Sequence, residues 1–296
     1  MPASAAPREE FARLVVDWFT VHARDLPWRR PGFPPWGTLV SEFMLQQTPV
    51  VRVIPRLEEW LRRWPTPADL AAEPPGEAVR AWESLGYPRR ALRLHACAVA
   101  IAERHDNAVP DDVDALLDLP GVGDYTARAV AVFAFGSRHP VVDTNIRRVI
   151  ARAVDGLPDA PAPNARRDLP AMTALLPASD DDAARFNAGM MELGALVCTA
   201  RSPKCESCPL ASVCAWRAAG YPETEVARRP VQKKYEGSDR QARGVVLREL
   251  RAVDGPVRHE RLRAALPEAA RLGRALEGLL ADGLVVAVGD DLYALP

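Results

Sequence analysis

The sequence predicts an all-α protein closed by a small winged-helix-like module, and three observations carry that prediction. Apolar residues recur at helical spacing through most of residues 8–196. Pro, Gly and Asp break the pattern into segments. Strand-like alternation is absent until the terminal run LVVAVGDDLYALP.

In order along the chain, Phe11, Leu14, Val15, Trp18 and Phe19 share one face of a helix predicted over 8–23. The Pro-rich segment Leu26 to Trp36 interrupts it, and a second amphipathic run spans Thr38 to Gln47, ended by Thr48-Pro49. Further helices are predicted over 50–64, 78–86, 89–104, 111–118, 124–135, 143–154, 165–176 and 181–196. Tyr221 to Gly237, with two prolines and paired basic residues, reads as a linker, assigned to 223–237. Beyond it, Ser238 to Arg251, Arg258 to Leu266 and Glu268 to Asp282 form three helices, followed by a hairpin turning at Gly289-Asp290. Three helices and a hairpin over 238–296 are the pattern of a winged helix.

Composition narrows the class. The 296 residues are 48% hydrophobic and 26% charged, an ordinary globular balance, and no segment approaches the roughly 18 uninterrupted apolar residues of a membrane span. The N-terminus lacks a basic region followed by an apolar run, so a cytoplasmic protein is expected. A net charge of −1 does not announce a nucleic-acid partner, although arginines gather at 89, 90, 93, 147 and 148. Four of the five cysteines crowd into residues 198–214, and the fifth, Cys97, reads as a small buried hydrophobe.

Four constellations carry chemistry. Leu119-Pro120-Gly121-Val122-Gly123 joins two predicted helices; its glycines permit a tight turn, and the amides at the start of the next helix, with Asp124 as its expected N-cap, can hold a phosphate. Cys198, Cys205, Cys208 and Cys214 can converge on one centre, either zinc or an iron–sulfur cluster. Glu42 stands in the apolar run Leu39-Val40-Ser41-Glu42-Phe43-Met44-Leu45, where lost hydration favours its neutral form and a general-acid role. Asp143, directly before the helix that starts at Thr144, is placed to accept backbone N–H bonds and stay ionised. Two carboxyls in opposed protonation states are what cleavage of a glycosidic bond requires.

Together, LPGVG, Val142-Asp143-Thr144-Asn145 and the cysteine run resemble the helix-hairpin-helix DNA glycosylases of the endonuclease III superfamily over about residues 8–222. The resemblance implies a [4Fe-4S] cluster and two helical lobes with the substrate cleft between them. The inner lobe is expected over 31–136, and the cluster lobe over 1–30 with 137–222. Leu26-Pro27-Trp28-Arg29 and Ser41 to Thr48 are similar to the adenine DNA glycosylases of the MutY family. Bifunctional relatives carry a nucleophilic lysine where this chain has Tyr125, so the resemblance implies a monofunctional hydrolase.

It implies further that Glu42 protonates N7 of a flipped adenine, that Asp143 stabilises the sugar cation, and that Tyr125 and Asn145 order the site. Trp28, Arg29 and Leu45 would line the pocket; Gln46, Gln47, Thr48 and Tyr87 would contact the duplex and base; Gly121, Val122 and Gly123 would grip a phosphate, with Arg201 and Lys204 adding contacts. The implied partner is double-stranded DNA with a mispaired adenine, bound by a monomer. Departures from the family pattern are Ala188 after Phe186-Asn187, Pro88 after Tyr87, Thr144 after Asp143, and a C-terminus too short for a Nudix-like domain. Two rival readings stand beside this one: a thymine glycosylase acting on T·G mispairs, against which Gln46-Gln47 weighs, and a non-catalytic winged-helix DNA-binding protein with a structural four-cysteine zinc site.

Overall fold

The computed structural model describes residues 5–223 and 234–296, and it divides the chain into two compact units. None of its described helices is long and apolar enough to cross a membrane. The first unit comprises the described residues of Met1–Phe33, Asp111–Val113 and Gly123–Arg228; the second comprises those of Pro34–Pro110, Asp114–Val122 and Arg229–Pro296.

In the first unit, α1 (Ala5–His22) packs on the long helix near residue 190, here α11 (Asp180–Leu196). Gly189 permits the approach, since a Cβ there would meet Val15 Cγ1 at 2.8 Å. Between them run α8 (Asp124–Phe135), α9 (Thr144–Ala153) and α10 (Ala165–Thr173), with the short α12 (Ala215–Ala218) after the cysteine loop. The core gathers Phe11, Val15, Ile146, Val149, Phe186, Met190 and Leu193. The inner lobe expected over 31–136 therefore loses α8. Its Ala129 and Val132 cluster with Val141, against which Tyr125, Ala184 and Met191 pack, so burial joins α8 to the first unit.

The second unit holds α2 (Pro35–Leu45), α3 (Val50–Arg63), α4 (Pro67–Ala71), α5 (Pro75–Trp82) and α6 (Arg89–Arg104), and most of α7 (Val113–Leu117). Trp60 is its centre, in edge-to-face contact with Trp64 at 4.7 Å and Trp82 at 5.8 Å. Helix α2 begins three residues earlier than the spacing predicts, because Pro35 has the fixed φ of a first helical residue and Pro34 stands before it as the cap. Helix α4 was not predicted, yet its capping box is legible: Thr66 and Asp69 bond each other's backbone N–H groups. The helix expected over 78–86 instead spans 75–82 and stops where Glu83 turns to φ +42°. Cys97 is buried as expected, and burial pushes its thiol up to about 12.

The C-terminal helices α13 (Asp239–Arg251), α14 (His259–Ala265) and α15 (Ala269–Ala281) match the expected segments, with Ser238 capping α13. The sequence predicts one hairpin; the structure has a three-stranded antiparallel sheet of β1 (Val257–Arg258), β2 (Val286–Gly289) and β3 (Leu292–Ala294), in the order β1-β3-β2. Two residues are too short a run to show alternation, and only the pairing Val257 to Tyr293 makes β1 a strand. The described residues of the module group with the second unit. Most of the expected linker, residues 224–233, lies outside the described residues.

Helices α9 and α11 approach most closely at Gly194, where a Cβ would meet Asn145 Cβ at 2.6 Å and Asn145 O at 2.9 Å. Gly194→Ala gains about 1 kcal/mol of helix propensity. Overpacking against backbone costs about 1–3 kcal/mol, and here the backbone cannot swing aside as a side chain would. Net destabilisation of the first unit is expected, measured as a lowered denaturation midpoint in urea.

Candidate active site

Glu42 lies in the middle of α2, whose sequence PWGTLVSEFML contains no other ionisable side chain. It is 6% exposed, beside Leu39, Val40, Phe43 and Met44, all essentially fully buried. The neighbouring Ser41 hydroxyl turns back to donate to the Thr38 carbonyl at 2.8 Å. The apolar run thus places the carboxyl inside the second unit, as its composition predicts.

Asp143 caps α9 in the first unit. One carboxylate oxygen accepts from the Ile146 N–H at 2.7 Å and the other from Asn145 Nδ2 at 2.8 Å. Burial pushes this carboxyl above its ordinary value, while those donors and Arg148 pull it back. The sequence anticipated only the N–H bonds; lost hydration outweighs them. The preceding segment is fixed by the buried Asn187, whose Oδ1 accepts from Val141 N at 2.9 Å and whose amide donates to His139 O and Ala183 O. Asn145 in turn accepts from Arg148 at 2.8 Å, so Asn145 links Asp143 to Arg148. Tyr125, half-buried, packs on the Ala129, Val132 and Val141 cluster of the same unit.

Arg148 and Arg152 extend this chain of contacts along α9. Arg148 also donates to Cys198 O at 2.7 Å and Gly194 O at 2.7 Å. Arg152 donates to Thr199 O at 2.7 Å and Ala200 O at 3.1 Å, and its guanidinium lies 3.4 Å from Cys198 Sγ. The loop they hold brings Cys198, Cys205, Cys208 and Cys214 around one open pocket. Four cysteine sulfurs on one loop are the donor set that a four-thiolate iron–sulfur cluster takes. Burial pushes the Cys208 thiol up to about 11 and raises Cys198 too.

The expected DNA-contacting residues divide into two groups. Gln47 is exposed at φ +57° and Tyr87 is 51% exposed at φ +48°, with Leu45 and Gln46 half-buried beside them. Arg90, which sequence reasoning noted only as part of a basic cluster, ties these turns together. Its guanidinium donates to Phe43 O, Met44 O, Gln46 O and Gly86 O at 2.6–3.1 Å and to Thr48 Oγ1 at 3.1 Å, and it lies over the Trp82 and Tyr87 rings.

Thr48, Arg29 and Val122 belong to the other group, whose polar atoms are used inside the chain. The Thr48 hydroxyl bonds Leu85 O at 3.1 Å, and the Val122 N–H donates to Leu119 O at 3.2 Å. Gly121 needs to be glycine, with φ +80° and Arg93 Cβ 2.7 Å from where its own Cβ would stand. Gly123 faces open space and is itself the N-cap of α8; Asp124, expected there, is the first helical residue and pairs with Arg128 at 3.1 Å. Trp28 is half-buried in the turn before Arg29.

Arg29 joins Arg24 on Glu192, the residue sequence reasoning missed. Glu192 is 1% exposed and accepts from Arg24 at 2.7 Å and from Arg29 at 3.0 Å. Burial raises this carboxyl, but the two guanidiniums outweigh it and hold it at about 2. The signal was available: Met190-Met191-Glu192-Leu193 has the same apolar surroundings that single out Glu42.

A folded-state pKa below the ordinary 4.5 means that Glu192 contributes stability above about pH 4.5 that is lost as pH falls towards 2. Wild-type unfolding free energy should fall across that window, and Glu192→Gln should flatten the fall. At neutral pH the substitution should cost about 3–5 kcal/mol, since it leaves two guanidiniums without their anion. A pH series of urea denaturations reads both. Cys208→Ser should abolish the visible charge-transfer absorption of the purified protein.

Residues 40–169 match the HhH-GPD superfamily of base excision DNA repair proteins, and residues 198–214 match the iron-sulfur binding domain of endonuclease III. The chain is 52% identical over 296 residues to an adenine DNA glycosylase of Mycobacterium tuberculosis (strain ATCC 25618 / H37Rv), covering all of this chain and 96% of that protein. It is 55% identical over 282 residues to an adenine DNA glycosylase of Mycolicibacterium smegmatis, covering 95% and 94%. Among solved structures, that of a thermostable thymine-DNA glycosylase superposes with a TM-score of 0.65 at 28% identity, over 72% of this chain and 98% of the other. With an iron–sulfur cluster on its four cysteines and identity running its full length, the chain belongs to the adenine DNA glycosylases of the HhH-GPD superfamily.

Proposed function

We propose that the protein works as a monomer in the cytoplasm, hydrolysing the N-glycosidic bond of adenine mispaired with 8-oxoguanine or guanine in double-stranded DNA. The observation that carries this reading is the burial of Glu42, the only ionisable residue of α2, among side chains that exclude water.

In its protonated form Glu42 donates to N7 of the extruded adenine, so the base departs neutral with the electron pair of the C1′–N9 bond. Asp143 faces the positive charge left on the sugar. Its two oxygens are held by N–H donors and its hydration is reduced, so its negative charge acts over a short distance with little screening. A water molecule then adds its oxygen to C1′ and gives up a proton, which restores the acid. Tyr125 offers no amine, so no imine forms and the strand is left uncut. Gln46, Gln47 and Tyr87 occupy the space vacated by the base, and Gly123, free of neighbours within 4 Å of its missing Cβ, receives the phosphate backbone. Cys198, Cys205, Cys208 and Cys214 would hold the iron–sulfur cluster, which would cross-link the cysteine loop at four points.

Duplexes carrying A·8-oxoG, A·G and T·G test the substrate. Adenine should be released from the first two, and release of thymine alone would overturn the reading. Glu42→Gln keeps the shape and removes the proton, so excision should fall by at least about 10²-fold while duplex affinity is retained. Borohydride should trap no covalent adduct with the wild-type protein.

A further inference from the structure

The C-terminal module meets the rest of the second unit through an exchange of arginines between two helix ends. Arg251, in the last turn of α13, donates to Val79 O at 3.0 Å and Glu83 O at 2.6 Å, at the end of α5. Arg80, near the end of α5, donates to Arg251 O and, at 2.9 Å, to Val253 O, just past the end of α13. Each guanidinium thus satisfies terminal carbonyls of the other helix and meets its negative dipole end. Burial pulls Arg251 down to about 10, so it keeps its charge at neutral pH.

Two further contacts surround this exchange. At the start of α5 the Gly76 N–H donates to Pro296 O at 2.6 Å, and a Cβ on Gly76 would stand 2.4 Å from that oxygen. Arg89, at the start of α6, pairs with Asp282 of the module at 3.3 Å, and Arg243 holds the same carboxylate from within the module. Docking is therefore polar, specific, and concentrated on the two helices that flank residues 83–88.

That flanked segment is strained. Glu83, Gly86 and Tyr87 all have positive φ, at +42°, +85° and +48°, and two of the three carry side chains. At Glu83 and Tyr87, which carry side chains, such backbone persists only where its surroundings over-determine it. From one side Arg90 holds Gly86 O and, with the same guanidinium, the carbonyls at the end of the Glu42 helix. Arg52 holds Ser84 O. From the other side Arg251 holds Glu83 O. The left-handed turn that presents Tyr87 is gripped at its first residue by the C-terminal module.

The geometry points to the C-terminal module as a brace for DNA engagement, with Arg251 and Arg80 as positioning residues that fix the 83–88 turn and so the exposed Tyr87. This deepens the reading of the protein as an adenine-excising enzyme and rests on it. The module then serves the reaction by adding rigidity to this turn from the side opposite Arg90.

The test uses the full chain with Arg251→Met, which keeps the aliphatic stem and loses the donors, and Arg251→Lys, which restores the charge but spans fewer acceptors. Gly76→Ala attacks the docking from the opposite end, and Arg263→Ala, on an exposed part of α14, is the control. Three quantities are read: amide exchange of residues 83–87, Kd for an A·G duplex, and the single-turnover rate at saturating enzyme. Arg251→Met and Gly76→Ala should each speed exchange in the turn and weaken Kd by roughly tenfold, the scale of lost charge-assisted hydrogen bonds. The rate at saturation should stay within about twofold, because the acid is untouched. Arg251→Lys should lie between wild type and Arg251→Met, and Arg263→Ala should match wild type. Unchanged exchange in both docking variants overturns the brace. So does faster exchange with unchanged Kd, the result of a purely structural appendage. If wild-type protein binds the duplex yet releases no adenine, the functional reading falls alone, and exchange and Kd still decide the brace.

Discussion

Helix α9 is the constraint on which the first unit depends. Its N-terminus carries Asp143, and the same helix carries Arg148 and Arg152, whose guanidiniums supply donors to the carbonyls of Cys198, Thr199 and Ala200. The cysteine loop has almost no regular structure, so its backbone oxygens need partners from elsewhere. Because α9 supplies them, the position of the loop and the orientation of the carboxylate are set by one rigid body. Gly194 makes this possible by letting α11 pass against Asn145 without a side chain between them.

Buried charge is handled in two ways in this protein. Glu192 is surrounded by donors from Arg24 and Arg29, which together offset the loss of water and leave it firmly ionised. Glu42 is buried on a helix that carries no other ionisable side chain, beside Leu39, Val40, Phe43 and Met44. Arg90 and Arg251 show the cationic counterpart: both are desolvated, and both spend their donors on carbonyls at helix ends and strained turns instead of on carboxylates. The second unit is thereby held at its helix ends by guanidinium–carbonyl bonds around a tryptophan core.

Most helices were legible in the sequence because each satisfies its hydrogen bonds locally and shows a face of period 3.6 over several turns. Helix α9 and its Asp143 cap, α11 behind Ser179, and α13 behind Ser238 are of this kind. Strand β1 was not legible, because two residues cannot display a period and their partner lies more than thirty residues away. Thr48 and Arg29 were assigned to the base pocket and duplex by resemblance alone. The intramolecular partners they also have, Leu85 O and Glu192, are distant in sequence, and no local pattern names them.

What the sequence alone determined were the residue types whose chemistry admits few alternatives: four closely spaced cysteines, a glutamate inside an apolar helix, and an aspartate at a helix start. Composition and spacing act over a turn or two, and at that range they are decisive. Tertiary structure alone decided the long-range polar pairings: Arg24 and Arg29 with Glu192, Arg148 with the cysteine loop, and Arg80 with Arg251 across the C-terminal module. An arginine can reach many acceptors from one position in a chain. Which it satisfies depends on where desolvation leaves a carbonyl or carboxylate unmet, and that is settled only when the helices pack.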